Sequence, residues 1–154
     1  MKKIISVFLP VLVLLCTFAL PASALSENST IVSQETIYNE DGSYYVITVR
    51  EEDVASTRSG ASKTGSKSID YYDSYGLGWT LTVTGTFIYP GTSTGSAYCT
   101  NATASRKVYN DWSCSSYYAN YSGNKATAYG TFKAGIVTKN GTVSLSCSST
   151  GSLY

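Results

Sequence analysis

From Trp79 to Tyr89, apolar and hydroxyl-bearing side chains alternate with a period of two over eleven residues. Trp79, Leu81, Val83, Phe87 and Tyr89 share one face with Gly85, while Thr80, Thr82, Thr84 and Thr86 line the other until Ile88. A helix would scatter these side chains around its circumference, whereas a strand sends successive side chains to opposite faces. The segment therefore reads as a half-buried strand, ended by Pro90-Gly91. Such a strand needs partners beside it and a second layer over its apolar face.

The remaining chain offers those partners. Residues 31–39 and 43–50 are rich in β-branched and aromatic side chains around Asp41-Gly42. That dipeptide predicts a tight hairpin turn with positive φ at both central positions. Tyr45, Ile47 and Val49 then share one face, and Tyr44, Val46 and Thr48 the other. Further strands are expected over 96–104, 113–121, 126–137 and 142–148. Asn140-Gly141 is the strongest short hairpin signal in the sequence. It predicts Lys139 opposite Thr142, Ile136 opposite Leu145 and Ala134 opposite Cys147, with the apolar members on one face. After the leader no segment has the spacing of an amphipathic helix. The fold class is all-β: a small antiparallel β-sandwich (immunoglobulin-like) or open barrel, preceded by an N-terminal hairpin.

The chain divides into four parts. Lys2 and Lys3, the apolar run over residues 4–20 and Ala22-Ser23-Ala24 form a secretory signal peptide over 1–24, cleaved after Ala24. Residues 25–53 are an acidic segment holding the hairpin, 54–68 a Ser/Gly/Lys linker, and 69–154 the sandwich domain. The expected product is secreted and extracellular, with no stable membrane span once the signal is gone.

Without Lys2 and Lys3, nine basic residues stand against ten acidic ones. That balance excludes a nucleic-acid partner, which requires a basic face against phosphates. Seven of the acids lie in residues 25–53 beside Arg50 alone, so an acidic lead precedes a mildly basic body. Large aliphatic residues are scarce, and 14 tyrosines with Trp79 and Trp112 supply the missing apolar area.

Most catalytic chemistry is absent. With no histidine the chain has no Ser-His or Cys-His nucleophile pair, and it lacks the commonest zinc ligand. Lys63-Thr64-Gly65 and Ser122-Gly123-Asn124-Lys125 mimic penicillin-interacting motifs, but in the wrong order and in far too short a chain. A glycosidase needs paired carboxylates, and Asp70, Asp73 and Asp111 read instead as turn caps. No catalytic residue, metal site or cofactor is expected. Cys99, Cys114 and Cys147 allow one disulfide and a spare thiol. Cys147 shares an inward face with Val143 and Leu145, so the expected pair is Cys99 with Cys147, leaving Cys114 as the free thiol; the alternative is three free buried thiols.

The order of Asp41-Gly42-Ser43-Tyr44-Tyr45, Trp79, Gly85-Thr86-Phe87, Tyr89-Pro90-Gly91, Cys99, Trp112, residues 122–126 and Leu145-Ser146-Cys147 resembles small secreted proteins of Firmicutes grouped as domains of unknown function. The resemblance implies a β-sandwich outside a Gram-positive cell and brings no catalytic residues. Cys114 departs from a pattern with two cysteines. The leading functional reading is a non-enzymatic domain binding glycan or a cell-envelope polymer. Tyr71, Tyr72, Tyr75, Trp112, Tyr117, Tyr118 and Tyr121 are the candidate binding aromatics, since exposed rings stack on sugars. The alternative is a bacteriocin-like antimicrobial protein whose acidic pro-segment is removed by cleavage near residues 58–67.

Overall fold

The structure, a computed structural model, describes residues 29–52 and 61–154. The expected signal peptide, residues 25–28 and the linker positions 54–60 lie outside the described residues. Eight strands follow in order: β1 (Ser29–Tyr38), β2 (Tyr44–Glu52), β3 (Ala61–Asp73), β4 (Gly76–Tyr89), β5 (Tyr98–Val108), β6 (Ser113–Ser122), β7 (Lys125–Ala134) and β8 (Val137–Ser146). The first five form one antiparallel sheet in chain order, and the last three form another. The sheets face each other without closing into a barrel, so the molecule is an all-β sandwich. No helix among the described residues is long and apolar enough to cross a membrane.

The alternating strand is β4, and its apolar face is the centre of the core. Trp79, Leu81, Val83 and Phe87 are fully buried, as are Ala126, Ala128 and Phe132 of β7 and Leu145 of β8. β4 packs over both β7 and β8, which covers its inward face along its length. Burying a side chain such as Leu81 contributes about 1.5–3 kcal/mol. The outward threonines stay partly exposed and bond sideways: the Thr80 hydroxyl donates to Asp70 at 2.6 Å, and Thr86 meets Thr64 at 3.1 Å. With few aliphatics, the layers are filled by rings laid over glycines. Trp79 stacks on Phe132 with centroids 4.1 Å apart and planes 3° apart. A Cβ on Gly141 would lie 2.9 Å from the Trp79 ring, and one on Gly85 would lie 2.7 Å from the Phe87 ring.

The linker expectation is corrected over residues 61–68, which are the first half of β3. This stretch looks like a linker because it is almost devoid of large apolar side chains. Its main chain nonetheless pairs on both sides, with Ser66 between Arg50 and Thr84 and Ser68 between Thr48 and Thr82. Sheet membership is set by main-chain hydrogen bonds, and hydropathy only reports which face has a cover. Lys63 adds an ion pair to Glu51 at 2.7 Å. The boundaries drawn at 53 and 69 fall with the linker: β1 and β2 belong to the same sheet as β4, and β3 crosses the proposed division.

Two turns differ from their expected form. Around Asp41-Gly42 only Gly42 has positive φ, at 81°. The Gly42 N–H bonds to the Asn39 carbonyl and the Asn39 N–H to the Ser43 carbonyl, so a longer loop replaces the two-residue turn. At the C-terminal hairpin the reversal is at Gly135-Ile136, where Ala134 faces Val137 and Gly135 takes φ 55°. Asn140 and Gly141 lie inside β8, opposite Thr131 and Gly130. Leu145 therefore faces Ala126, and Ile136 is fully exposed at the tip. Gly141 serves the Trp79 ring, which needs the missing side chain more than a turn needs the glycine's freedom. The inward set of Val143, Leu145 and Cys147 is as expected.

Candidate functional site

In an antiparallel meander every second reversal falls at the same end. The β1–β2, β3–β4, β5–β6 and β7–β8 connections therefore meet at one end of the sandwich. A cleft of about 700 Å³ opens there, lined from all four by Asp41, Tyr71, Asp73, Tyr75, Asn110, Asp111, Trp112, Ala134, Val137 and Lys139.

Its floor is aromatic. Tyr71, near the end of β3, stacks on Trp79 with centroids 5.4 Å apart, and Trp112 meets Tyr71 edge-on at 5.4 Å. Gly78 lets Trp112 lie against β4, since a Cβ there would stand 2.8 Å from the indole nitrogen. Both rings are nearly buried, whereas Tyr75 at the β3–β4 turn is 85% exposed and free to stack. Asp73 holds this corner together. One of its oxygens accepts the Tyr75 N–H at 2.8 Å, and the other accepts the Trp112 indole N–H at 2.9 Å. The same carboxylate thus caps the turn, as the sequence suggests, and fixes the indole, which the sequence does not reveal.

The polar rim comes from the other turns. The Ser43 hydroxyl and N–H donate to Asp41 and hold its carboxyl below the usual carboxylate value. Lys139 reaches 3.7 Å from Asp41 and lies 5.5 Å from the centre of the Tyr71 ring. Asn110 takes φ 52° in the β5–β6 corner and donates its amide to the Leu77 carbonyl at 3.1 Å. A non-glycine residue in that region is uncommon and strained, and it sits where the chain crosses between the sheets. Among the described residues, no three His, Cys, Asp or Glu side chains converge as metal ligands do, although three aspartates line the cleft.

Of the seven candidate aromatics, the cleft brings together Tyr71, Tyr75 and Trp112. Tyr72 points to the outer face, stacked on Tyr44 at 4.7 Å, and burial raises its phenol pKa. Tyr117 and Tyr121 lie opposite Gly130 and Ala126 on β7, and remain about half exposed on the edge strand β6. Arg106 sits 4.7 Å over the Tyr117 ring. Tyr118 stacks on Tyr129 at 5.0 Å, well exposed. Asp41, Asn110 and Lys139 were missed. A signal for them existed in the turn order, because alternate turns of a meander share an end.

The three cysteines are free thiols in this structure rather than a Cys99–Cys147 bridge and a spare. The Cys99 thiol turns to the Asn101 carbonyl at 3.1 Å and the Cys147 thiol to the Ser148 carbonyl at 3.4 Å.

The cleft can stack one face of a ring on Tyr75 and accept hydrogen bonds from it through carboxylates. The chain matches no known protein family, and no curated protein or solved structure is detectably similar to it.

Proposed function

We propose that this chain is an exported, non-enzymatic binding domain that takes a cell-surface glycan in the cleft at the turn end of the sandwich. The observation that carries the reading is the convergence there of Tyr71, Tyr75 and Trp112 with Asp41, Asp73, Asp111 and Asn110. An apolar ring face beside acceptors matches the two surfaces of a sugar, a C–H face and a rim of hydroxyls. Export rests on the Ala22-Ser23-Ala24 site, and a Gram-positive envelope on the resemblance to small secreted Firmicutes proteins. The test is a glycan array probed with the chain from Leu25 onward, wild type and Tyr75→Ala. The wild type is expected to bind a defined set of sugars, and Tyr75→Ala to bind them roughly three- to tenfold more weakly with unchanged circular dichroism. If no sugar binds the wild type, or Tyr75→Ala binds as tightly, the reading fails. No specific observation favours the bacteriocin-like alternative, which needs residues 69–154 to be a unit by themselves.

A further inference from the structure

The end of the sandwich away from the cleft carries a different kind of site. Cys99, at the start of β5, donates its N–H to the Gly123 carbonyl at 2.7 Å. Cys147, just past β8, donates its N–H to the Asn124 carbonyl at 3.0 Å. Two cysteines from opposite sheets are thus pinned to consecutive residues of the β6–β7 turn. Both belong to the core and are nearly or fully buried. The Asn124 amide tightens this by donating to the Cys147 carbonyl at 2.8 Å. Cys114 lies at the far end of β6, nine residues from Gly123 and so about 30 Å away at roughly 3.3 Å per residue. A disulfide needs Cα atoms about 4.4–6.8 Å apart, which excludes Cys114 from pairing with either partner in the folded chain.

We infer that Cys99 and Cys147 are an oxidation site, forming one disulfide that staples β5 to the end of β8 while Cys114 remains a thiol. The two thiols lose two protons and two electrons and gain one S–S bond. The acceptor is a small-molecule disulfide such as oxidised glutathione, whose own S–S bond is reduced to two thiols. Each side chain must first rotate away from its present carbonyl partner. Burial raises both thiol pKa values, so the thiolates that start exchange are scarce in the folded state. Oxidation then proceeds during folding or through opening of this end, and the finished bond is shielded. The bond encloses β6, β7, β8 and all of β5 but Tyr98, so it clamps the three-stranded sheet to the five-stranded one.

The experiment uses the purified chain from Leu25 onward, refolded from denaturant in a glutathione redox buffer, so it does not depend on export or on any sugar ligand. Alkylation and non-reducing peptide mapping are expected to give a Cys99–Cys147 linked peptide and an alkylated Cys114. The intact mass falls by two hydrogens, and reduction lowers the thermal midpoint by roughly 10 °C. Recovery of all three cysteines alkylated, or of Cys114 in a bridge within one chain, overturns the assignment.

Discussion

At the scale of single residues, the molecule depends on where side chains are missing as much as on where they are large. Trp79 is held between Phe132, stacked at 4.1 Å, and Tyr71 at 5.4 Å, so it cannot move to admit a new neighbour. A methyl group on Gly141 would stand 2.9 Å from that ring. Gly141→Ala is therefore expected to cost about 1–3 kcal/mol, the usual range for overpacking. Urea denaturation checks this, and a change below about 0.5 kcal/mol would mean that the ring has more freedom than its stacking implies. Asp73 has a comparable leverage in the cleft, because one carboxylate serves both the Tyr75 turn and the Trp112 indole.

At the scale of elements, the β7–β8 hairpin shows how a turn signal loses to packing. Placing the reversal at Asn140-Gly141 would set Gly141 in the loop and bring Ile136 inward opposite Leu145. The observed reversal at Gly135-Ile136 exposes one isoleucine and keeps Gly130, Gly141, Val143 and Leu145 facing the other sheet. Trading one exposed isoleucine for a place to lodge Trp79 is favourable, since the indole has the larger apolar surface. Ile136→Ser is expected to change stability by no more than about 0.5 kcal/mol, as a surface substitution does. Leu145→Ala should cost roughly 2–5 kcal/mol. Equal losses in thermal or urea denaturation would restore the register with Ile136 in the core.

At the scale of the whole molecule, five strands lie over three, and the acidic hairpin belongs to the larger sheet. β2 pairs with β3 from Tyr44–Tyr72 to Glu52–Thr64 without a break. Removing residues 1–68 deletes β1, β2 and the half of β3 that carries most of this pairing, and it takes Val49 and Tyr45 from the core. The 69–154 fragment is expected to show no cooperative unfolding transition, whereas residues 29–154 keep one. A cooperative transition in the fragment at a similar midpoint would revive the separate pro-segment. The meander also explains why the aromatic cleft and the cysteine pair occupy opposite ends: alternate turns sort to alternate ends.

The all-β class, β4 with its inward face, the inward set of Val143, Leu145 and Cys147, and the turn-capping role of Asp73 were legible in the sequence. Each is a local pattern, and a period of two or a cap needs no partner to be recognised. The first half of β3 was not legible, because Ser, Lys and Gly hold a strand there only through the main chains of β2 and β4 on either side. Gly141 was misread because the ring that excludes a side chain there comes from the other sheet. The cleft was half visible: the sequence supplied Tyr71, Tyr75 and Trp112 as aromatic candidates, and only tertiary structure separated them from Tyr72, Tyr117, Tyr118 and Tyr121. Local alternation fixes which face a residue takes on its own strand. Which strand lies opposite, and which turns meet at one end, depends on contacts between residues far apart in the chain, and there the packing of a few large rings decides.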